Sequence, residues 1–167
     1  PQVYAMVINA NGEASRFNFL NHQVVADPIE GFAGPLAGVL AGMKWAQKLG
    51  GGITHVASVA ADTPFFPPNL VVRFQKALAT HPVETIALAS THGRCHPVFG
   101  LWPVVLAESL EEFLVAAETR KVLAFVDNHG LVDVPFDDNA LSHDPFFNIN
   151  TPDDLLLAEK LFNEESA

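Results

Sequence analysis

Short apolar runs that end at turn-forming residues recur along the chain, and they predict the strands of a buried sheet. These runs are residues 3–8, 24–26, 55–61, 85–90, 98–102 and 131–134. Several of them are apolar on both faces, which is typical of a parallel sheet that helices cover on each side. The pattern therefore predicts strands that alternate with helices.

The segments between these runs carry apolar residues at helical spacing. Pro35 suits the first position of a helix, where its missing N–H costs nothing, and the glycines at 50–52 end that helix. Further helices are predicted after Asn69, around residues 106–114 and at 122–126. The last helix begins at Thr151 and Pro152 with two acids in its first turn, and Leu155, Leu156 and Leu161 are its predicted packing residues. We expect one three-layer α/β domain over residues 1–167.

Composition narrows the class of function. The 167 residues are 49% hydrophobic and carry a net charge of −10, so a polyanion such as DNA would be repelled. Backbone amides and a metal can still provide a local positive potential for a nucleotide. Cys95 is the single cysteine, which fits a reducing compartment. No apolar run reaches the roughly 18 residues of a membrane span, so we expect a cytoplasmic protein that binds neither nucleic acid nor membrane.

Polar residues follow three of the predicted strands. Asn9 follows the first, Asp27 the second and Asp62 the third. Ligands of open α/β sheets bind outside the carboxyl ends of the strands, and magnesium prefers one or two carboxylates together with phosphate oxygens. Asp62 is therefore the leading metal candidate. The alternative is that Asp62 only begins a turn.

A glycine-rich loop leads into the first helix. Gly34, Pro35, Leu36, Ala37 and Gly38 stand at this point, where glycine lets a ligand approach the main chain closely. A packing role for these glycines is an equally good interpretation on local grounds.

Two further segments carry polar residues of interest. Arg94 has the forked donors that suit a phosphate, or else it lies at a solvated loop tip. A structural zinc site around Cys95 and His96 is disfavoured, because no second ligand pair lies at suitable spacing. Asn148 and Asn150 alternate just before a helix N-terminus, where they hold a phosphate or a metal-bound water, or only cap the loop.

Taken in order, these motifs resemble the molybdenum cofactor guanylyltransferases (the MobA family) over residues 3–161. The motifs are Asn9-Ala10-Asn11, Asp27, Gly34-Pro35-Leu36-Ala37-Gly38, Asp62-Thr63-Pro64, His96-Pro97 and Asn148-Ile149-Asn150-Thr151-Pro152. Each motif alone is modest, whereas the ordered set is specific.

The resemblance implies a Rossmann-like nucleotidyltransferase fold and a magnesium-dependent reaction that joins GMP from GTP to molybdopterin. It implies that Asn9 and Asp27 contact GTP, that the loop from Gly34 to Gly38 lines the nucleotide pocket, and that Asp62 is the catalytic metal ligand. His96, Asn148 and Asn150 would lie nearer the pterin or the reacting phosphates. Transient contact with a molybdoenzyme or another cofactor-biosynthesis protein is also implied.

The chain departs from the family pattern at its start. The family begins with a strand and a glycine-rich loop followed by an arginine and a lysine, and none of this precedes the first run here. We therefore expect that the first strand of the sheet is missing from this sequence, and that the chain as written is catalytically impaired. The alternatives are a cytidylyl or sugar-phosphate nucleotidyltransferase of the same fold and a non-catalytic nucleotide-binding domain.

Overall fold

The computed structural model describes residues 2–29, 31, 34–116, 121–137 and 143–165. Its strands are β1 (Val7–Asn9), β2 (Gln23–Val25), β3 (His55–Ser58), β4 (Ile86–Thr91), β5 (Arg94–Pro103) and β6 (Leu131–Pro135). Its α-helices are α1 (Pro35–Leu49), α2 (Leu70–Leu78), α3 (Ala107–Ala116), α4 (Val122–Val126) and α5 (Pro152–Glu165). Short 3-10 helices cover Ala14–Leu20 and Val104–Leu106. The predicted alternation of strands and helices, and with it the α/β class, is confirmed.

The larger sheet has four strands in the order β3-β5-β4-β6. Strand β5 is antiparallel to both of its neighbours, and β4 is parallel to β6. Three strands thus share one direction and β5 opposes them. The reversal occurs at His92 and Gly93, whose φ angles are 48° and 75°. Two positive φ angles in a two-residue connection are typical of a tight hairpin, a feature that the sequence analysis interpreted only as a loop.

Both faces of this sheet are covered, because successive side chains of the fully buried strand β4 point into different cores. Ile86 and Leu88 pack in a cluster formed with α1, α3 and α4. Ala87 and Ala89 pack in a second cluster with α2, Phe136 and other apolar side chains. Alternation along a strand produces this division. The three layers expected from the sequence are therefore present.

A separate two-stranded sheet is formed by β1 and β2, which are parallel. Helix α1 packs against both sheets: a Cβ at Gly38 would lie 2.4 Å from Asn9 Oδ1, and a Cβ at Gly42 would lie 3.1 Å from Val56 Cγ1. In the described part of the chain no hydrogen-bonded pair of strands joins the two sheets. That a first strand is missing from this sequence, and that residues 1–167 form one domain, remain predictions.

Two sequence-based expectations about packing are wrong. The first run was expected to be a strand from residue 3, but β1 begins at Val7 and Tyr4 is 84% exposed. Leu155 and Leu156, expected to hold the last helix, are 48% and 65% exposed, whereas Ala158 is buried. Helical spacing identifies an apolar face but does not show that another element covers it. Among the described residues, no helix is long and apolar enough to cross a membrane.

Gly100 on β5 tests the packing of the larger sheet. A Cβ at this position would lie 2.7 Å from Leu88 Cδ2, 2.9 Å from Trp102 Nε1 and 3.0 Å from the Ala87 carbonyl oxygen. Overpacking of this kind costs about 1–3 kcal/mol, so Gly100→Ala is expected to lower the free energy of unfolding by about that amount in urea denaturation. Exposed Val105 provides the control, because Val105→Ala should change stability by less than about 0.5 kcal/mol. Wild-type stability of Gly100→Ala would contradict the packing described.

Candidate functional site

The polar residues after β1 and β2 form one hydrogen-bonded cluster. The Asn9 side-chain amide donates to the Val25 carbonyl oxygen at 3.2 Å and to Asp27 Oδ1 at 3.0 Å. Asn11 donates to Asp27 Oδ2 at 2.7 Å and accepts from the Asp27 backbone N–H at 2.9 Å. Both carboxylate oxygens of Asp27 are thus held by amides. The structure brings Asn9 and Asp27 together as predicted, and it adds Asn11, to which the sequence analysis gave no separate role.

The start of α1 lies against this cluster. A Cβ at Gly38 would collide with Asn9 Oδ1, so the absence of a side chain at position 38 permits the contact. Gly34 and Pro35 are exposed at the helix N-terminus. Leu36 and Ala37, in contrast, are 0% exposed and pack in the core. These two residues therefore expose no surface to a nucleotide in this structure, and their predicted part in the nucleotide pocket is not seen.

The geometry of α1 relates the end of β1 to the end of β3. Five residues connect α1 to β3, so we infer that the helix runs back along the strand in the opposite direction. Gly38 is one helical turn, about 6 Å, before Gly42, and Gly42 abuts Val56. Two residues of a strand span a similar distance. Ser58, two residues after Val56, therefore lies level with Gly38 and so with Asn9. The carboxyl ends of both strands therefore face the N-terminal end of α1.

Asp62 follows β3 and is held by the loop before α5. Its backbone carbonyl accepts from the Ile149 N–H at 2.8 Å. The hydroxyl of Thr63 lies 3.2 Å from Asp62 Oδ1 and 3.2 Å from Asn148 Oδ1. Asp62 and Asn148 are exposed, whereas Thr63 is 1% exposed. The structure thus joins two of the predicted site residues, Asp62 and Asn148, through a buried threonine that the sequence analysis did not select.

The surroundings of Asp62 fit a magnesium ion. No hydrogen bond to Asp62 Oδ2 is seen from any residue that the structure describes, and the side chain is exposed. Within the same residues, no group of three or more His, Cys, Asp or Glu side chains is arranged to hold a metal. A site with one available carboxylate oxygen suits magnesium, which commonly takes its other ligands from water and substrate phosphates.

His96 lies in a different part of the site. Its Nε2 is 2.6 Å from Thr91 Oγ1, and its ring stacks on Phe146 with 4.3 Å between ring centroids. Burial lowers the pKa of His96, an effect that Asp144 opposes and Arg94 reinforces through their charges. Arg94 is the first residue of β5 and is exposed. It is therefore placed where a phosphate can reach it, although the solvated alternative also fits this exposure.

The N-terminus of α5 is capped by its own side chains. The backbone N–H groups of Asn150 and Thr151 donate to Asp154 Oδ2 at 3.0 and 2.9 Å, and Thr151 Oγ1 accepts from the Asp154 N–H at 3.2 Å. A side-chain hydrogen bond with Thr151, and after it the backbone N–H of Asn150, lower the pKa of Asp154. The arrangement is a reciprocal capping pair. Asp154 thus occupies the backbone N–H groups of Asn150 and Thr151, and the roles of the Asn148 and Asn150 side chains remain predictions.

Two substitutions on the same face of α1 distinguish the contact with Asn9 from the general effect of replacing a helical glycine. Gly38→Ala and Gly42→Ala both add a Cβ to a helical glycine, and at position 42 that Cβ would be crowded by Val56 Cγ1 at 3.1 Å instead of by Asn9. Only the Cβ at position 38 meets Asn9 Oδ1. We expect Gly38→Ala to shift the side-chain amide resonances of Asn9 and Asn11 in NMR spectra, whereas Gly42→Ala leaves them in place. Unchanged resonances in Gly38→Ala would contradict the described contact.

The charges around His96 predict the direction of its titration. Burial should hold its pKa below the ordinary value of about 6.5. Because the folded-state pKa is lowered, the neutral ring contributes stability above about pH 6.5 that is lost as the pH falls through the folded-state pKa. In ring-proton NMR titrations, Asp144→Asn should lower the pKa further and Arg94→Gln should raise it. An unchanged pKa in both variants would show that these charges do not act on His96, and opposite shifts would contradict the directions given.

Comparison with known proteins identifies the family of this chain. Residues 1–134 match the family model of the MobA-like NTP transferase domain. The chain is 46% identical over 162 residues to the molybdenum cofactor guanylyltransferase of Mesorhizobium japonicum, with 96% of this chain and 77% of that protein covered. It is also 46% identical to the protein of the same name from Rhizobium leguminosarum bv. trifolii, with 95% and 74% covered.

A solved structure shows the same fold. The molybdopterin-guanine dinucleotide biosynthesis protein A of Archaeoglobus fulgidus superposes with a TM-score of 0.70 at 22% identity, over 95% of this chain and 78% of that chain. At 22% identity this similarity is evidence for the fold alone. The family model and the curated relatives are the evidence for the family. Together they establish that the chain belongs to the family of MobA-like nucleotidyltransferases.

Proposed function

We propose that this protein transfers GMP from GTP to molybdopterin, forming the guanine dinucleotide cofactor and releasing pyrophosphate. The observation that carries the proposal is the 46% identity to a molybdenum cofactor guanylyltransferase over 96% of the chain. The geometry is consistent with this reaction. It provides an exposed carboxylate at Asp62 and an amide-rich cluster at Asn9 and Asp27, both at strand ends that face the start of α1.

The Asn9 cluster and Asp62 are assigned to different parts of GTP. We assign the base and ribose to the cluster of Asn9, Asp27 and the Gly34–Gly38 loop, where glycine lets the nucleotide approach the backbone. We assign the phosphates to Asp62 through Mg²⁺. Asp62 Oδ2 is the oxygen available to the ion, because Oδ1 is bonded to Thr63. Bound Mg²⁺ would neutralise charge on the α-phosphate and on the leaving pyrophosphate.

The chemistry itself requires little covalent participation by the protein. An oxygen of the terminal phosphate of molybdopterin forms a bond to the α-phosphorus of GTP, and the bond from that phosphorus to the pyrophosphate oxygen breaks. Catalysis then depends on positioning the two phosphates in line and on stabilising the leaving charge. Asn148 and Asn150, with His96 and Arg94, are our candidates for holding the molybdopterin side.

The triphosphate of GTP is negatively charged and needs positive groups to bind it, and the site residues provide few of them. Asn9, Asp27, Asp62 and Asn148 provide only amides and carboxylates. The chain spans about three quarters of the length of the curated relatives that it matches. Because these four residues carry no positive charge, we propose that turnover also needs basic groups at the triphosphate. We further propose a cytoplasmic location and transient contact with proteins that receive the cofactor.

Removal of the Asp62 carboxylate tests the metal assignment. Asp62→Ala, made in the longest form of the protein that its gene encodes, is expected to lower kcat for pyrophosphate release by about a hundredfold or more, because the charge stabilisation by the ion is lost. Asp127 is an exposed aspartate at the end of α4 and is the control. Asp127→Ala should retain wild-type turnover. Comparable activity of Asp62→Ala and Asp127→Ala would remove Asp62 from the metal site.

The nucleotide is tested in the same assay. GTP, CTP and UTP are compared with molybdopterin as acceptor, and pyrophosphate release should depend on GTP. Preference for CTP or UTP would favour a cytidylyl or sugar-phosphate transferase of this fold. Binding of GTP without any release of pyrophosphate by the longest form would favour a non-catalytic nucleotide-binding domain.

A further inference from the structure

Thr63 is a buried hydroxyl residue beneath two exposed site residues. Its side chain is 1% exposed, and its Oγ1 lies 3.2 Å from both Asp62 Oδ1 and Asn148 Oδ1. The two contacts join segments that are 85 residues apart in the chain. The backbone reinforces the junction, because the Ile149 N–H donates to the Asp62 carbonyl oxygen. Thr63 is therefore a side-chain link between the loop after β3 and the loop before α5.

The single proton of this hydroxyl determines how the carboxylate is oriented. A hydroxyl can donate only one hydrogen bond, and a carboxylate is a stronger acceptor than an amide oxygen. With the proton directed to Asp62 Oδ1, that oxygen is fixed against the buried threonine. Oδ2 then remains on the solvent side, where no described residue bonds to it. The threonine thereby sets which carboxylate oxygen is presented to a cation.

We propose that Thr63 is a positioning residue for a divalent cation at Asp62. The inference rests on the proposed function, since it assumes that Asp62 binds the ion. Thr63 itself does not touch the ion. It acts by fixing the rotamer of Asp62, so that the carboxylate need not be ordered when the ion and the nucleotide bind. Partners that orient a metal ligand in this way commonly change metal affinity by roughly ten- to a hundredfold when they are removed.

The test measures Mn²⁺ binding to the protein with GTP present, as the loss of the free-ion signal in electron paramagnetic resonance beyond the loss that the same concentration of GTP causes without protein. Thr63→Val keeps the shape of the side chain and removes the hydroxyl, and it should weaken Mn²⁺ binding by roughly ten- to a hundredfold. Thr63→Ser keeps the hydroxyl and should bind within about threefold of the wild type. Thr85, which is 4% exposed and directly precedes β4, is the matched control, and Thr85→Val should bind Mn²⁺ normally.

The outcomes separate failure of this inference from failure of the proposed function. Wild-type Mn²⁺ affinity in Thr63→Val, or equally weak binding in Thr63→Ser, would overturn the role of the hydroxyl while Asp62→Asn still abolishes binding. Normal binding in Asp62→Asn would instead overturn the metal site itself. Thermal unfolding is recorded for every variant. Should Thr63→Val not fold, Thr63→Ala is measured beside Thr63→Ser, with the same expected loss and the same contradicting result.

Discussion

The close approach of α1 to both sheets is the constraint on which the rest of the structure depends. Two glycines one turn apart allow it, since Gly38 lies against Asn9 and Gly42 against Val56. Interiors packed this closely do not deform continuously. The position of the helix consequently fixes the end of β1 relative to the end of β3. That relation places the Asn9 cluster and the loop that carries Asp62 at one edge of the fold.

Hydrogen bonds within the candidate site occupy most of the carboxylate oxygens that could otherwise bind a ligand. Asn9 and Asn11 hold both oxygens of Asp27, and Asp154 occupies backbone donors at the start of α5. Asp62 differs from Asp27, because one of its oxygens accepts from Thr63 and the other bonds to no described residue. Asp62 is therefore the carboxylate of the two that keeps an oxygen for a cation.

The sequence predicted those features that depend on local chemistry. Asn9, Asp27 and Asp62 were identified because apolar runs stop at them, and Pro35 because its missing N–H suits a helix start. Features set by distant partners were not predictable. The direction of β5 follows from the hairpin at His92, and the burial of Leu36 follows from the sheet beneath α1. Leu155 is exposed although its spacing along the chain is helical. Thr63 was missed because its partner Asn148 is remote in the chain.

The central claim is that Asp62 and the Asn9 cluster bind the same nucleotide. Crystals grown with Mn²⁺ and a non-hydrolysable GTP analogue test this directly, because the anomalous signal locates the ion. We expect the ion within about 2.2 Å of an Asp62 carboxylate oxygen, bridging to the phosphates of an analogue whose guanosine lies beside Asn9, Asp27 and the Gly34–Gly38 loop. An ion and a nucleotide bound elsewhere, with Asp62 turned away from them, would contradict the account.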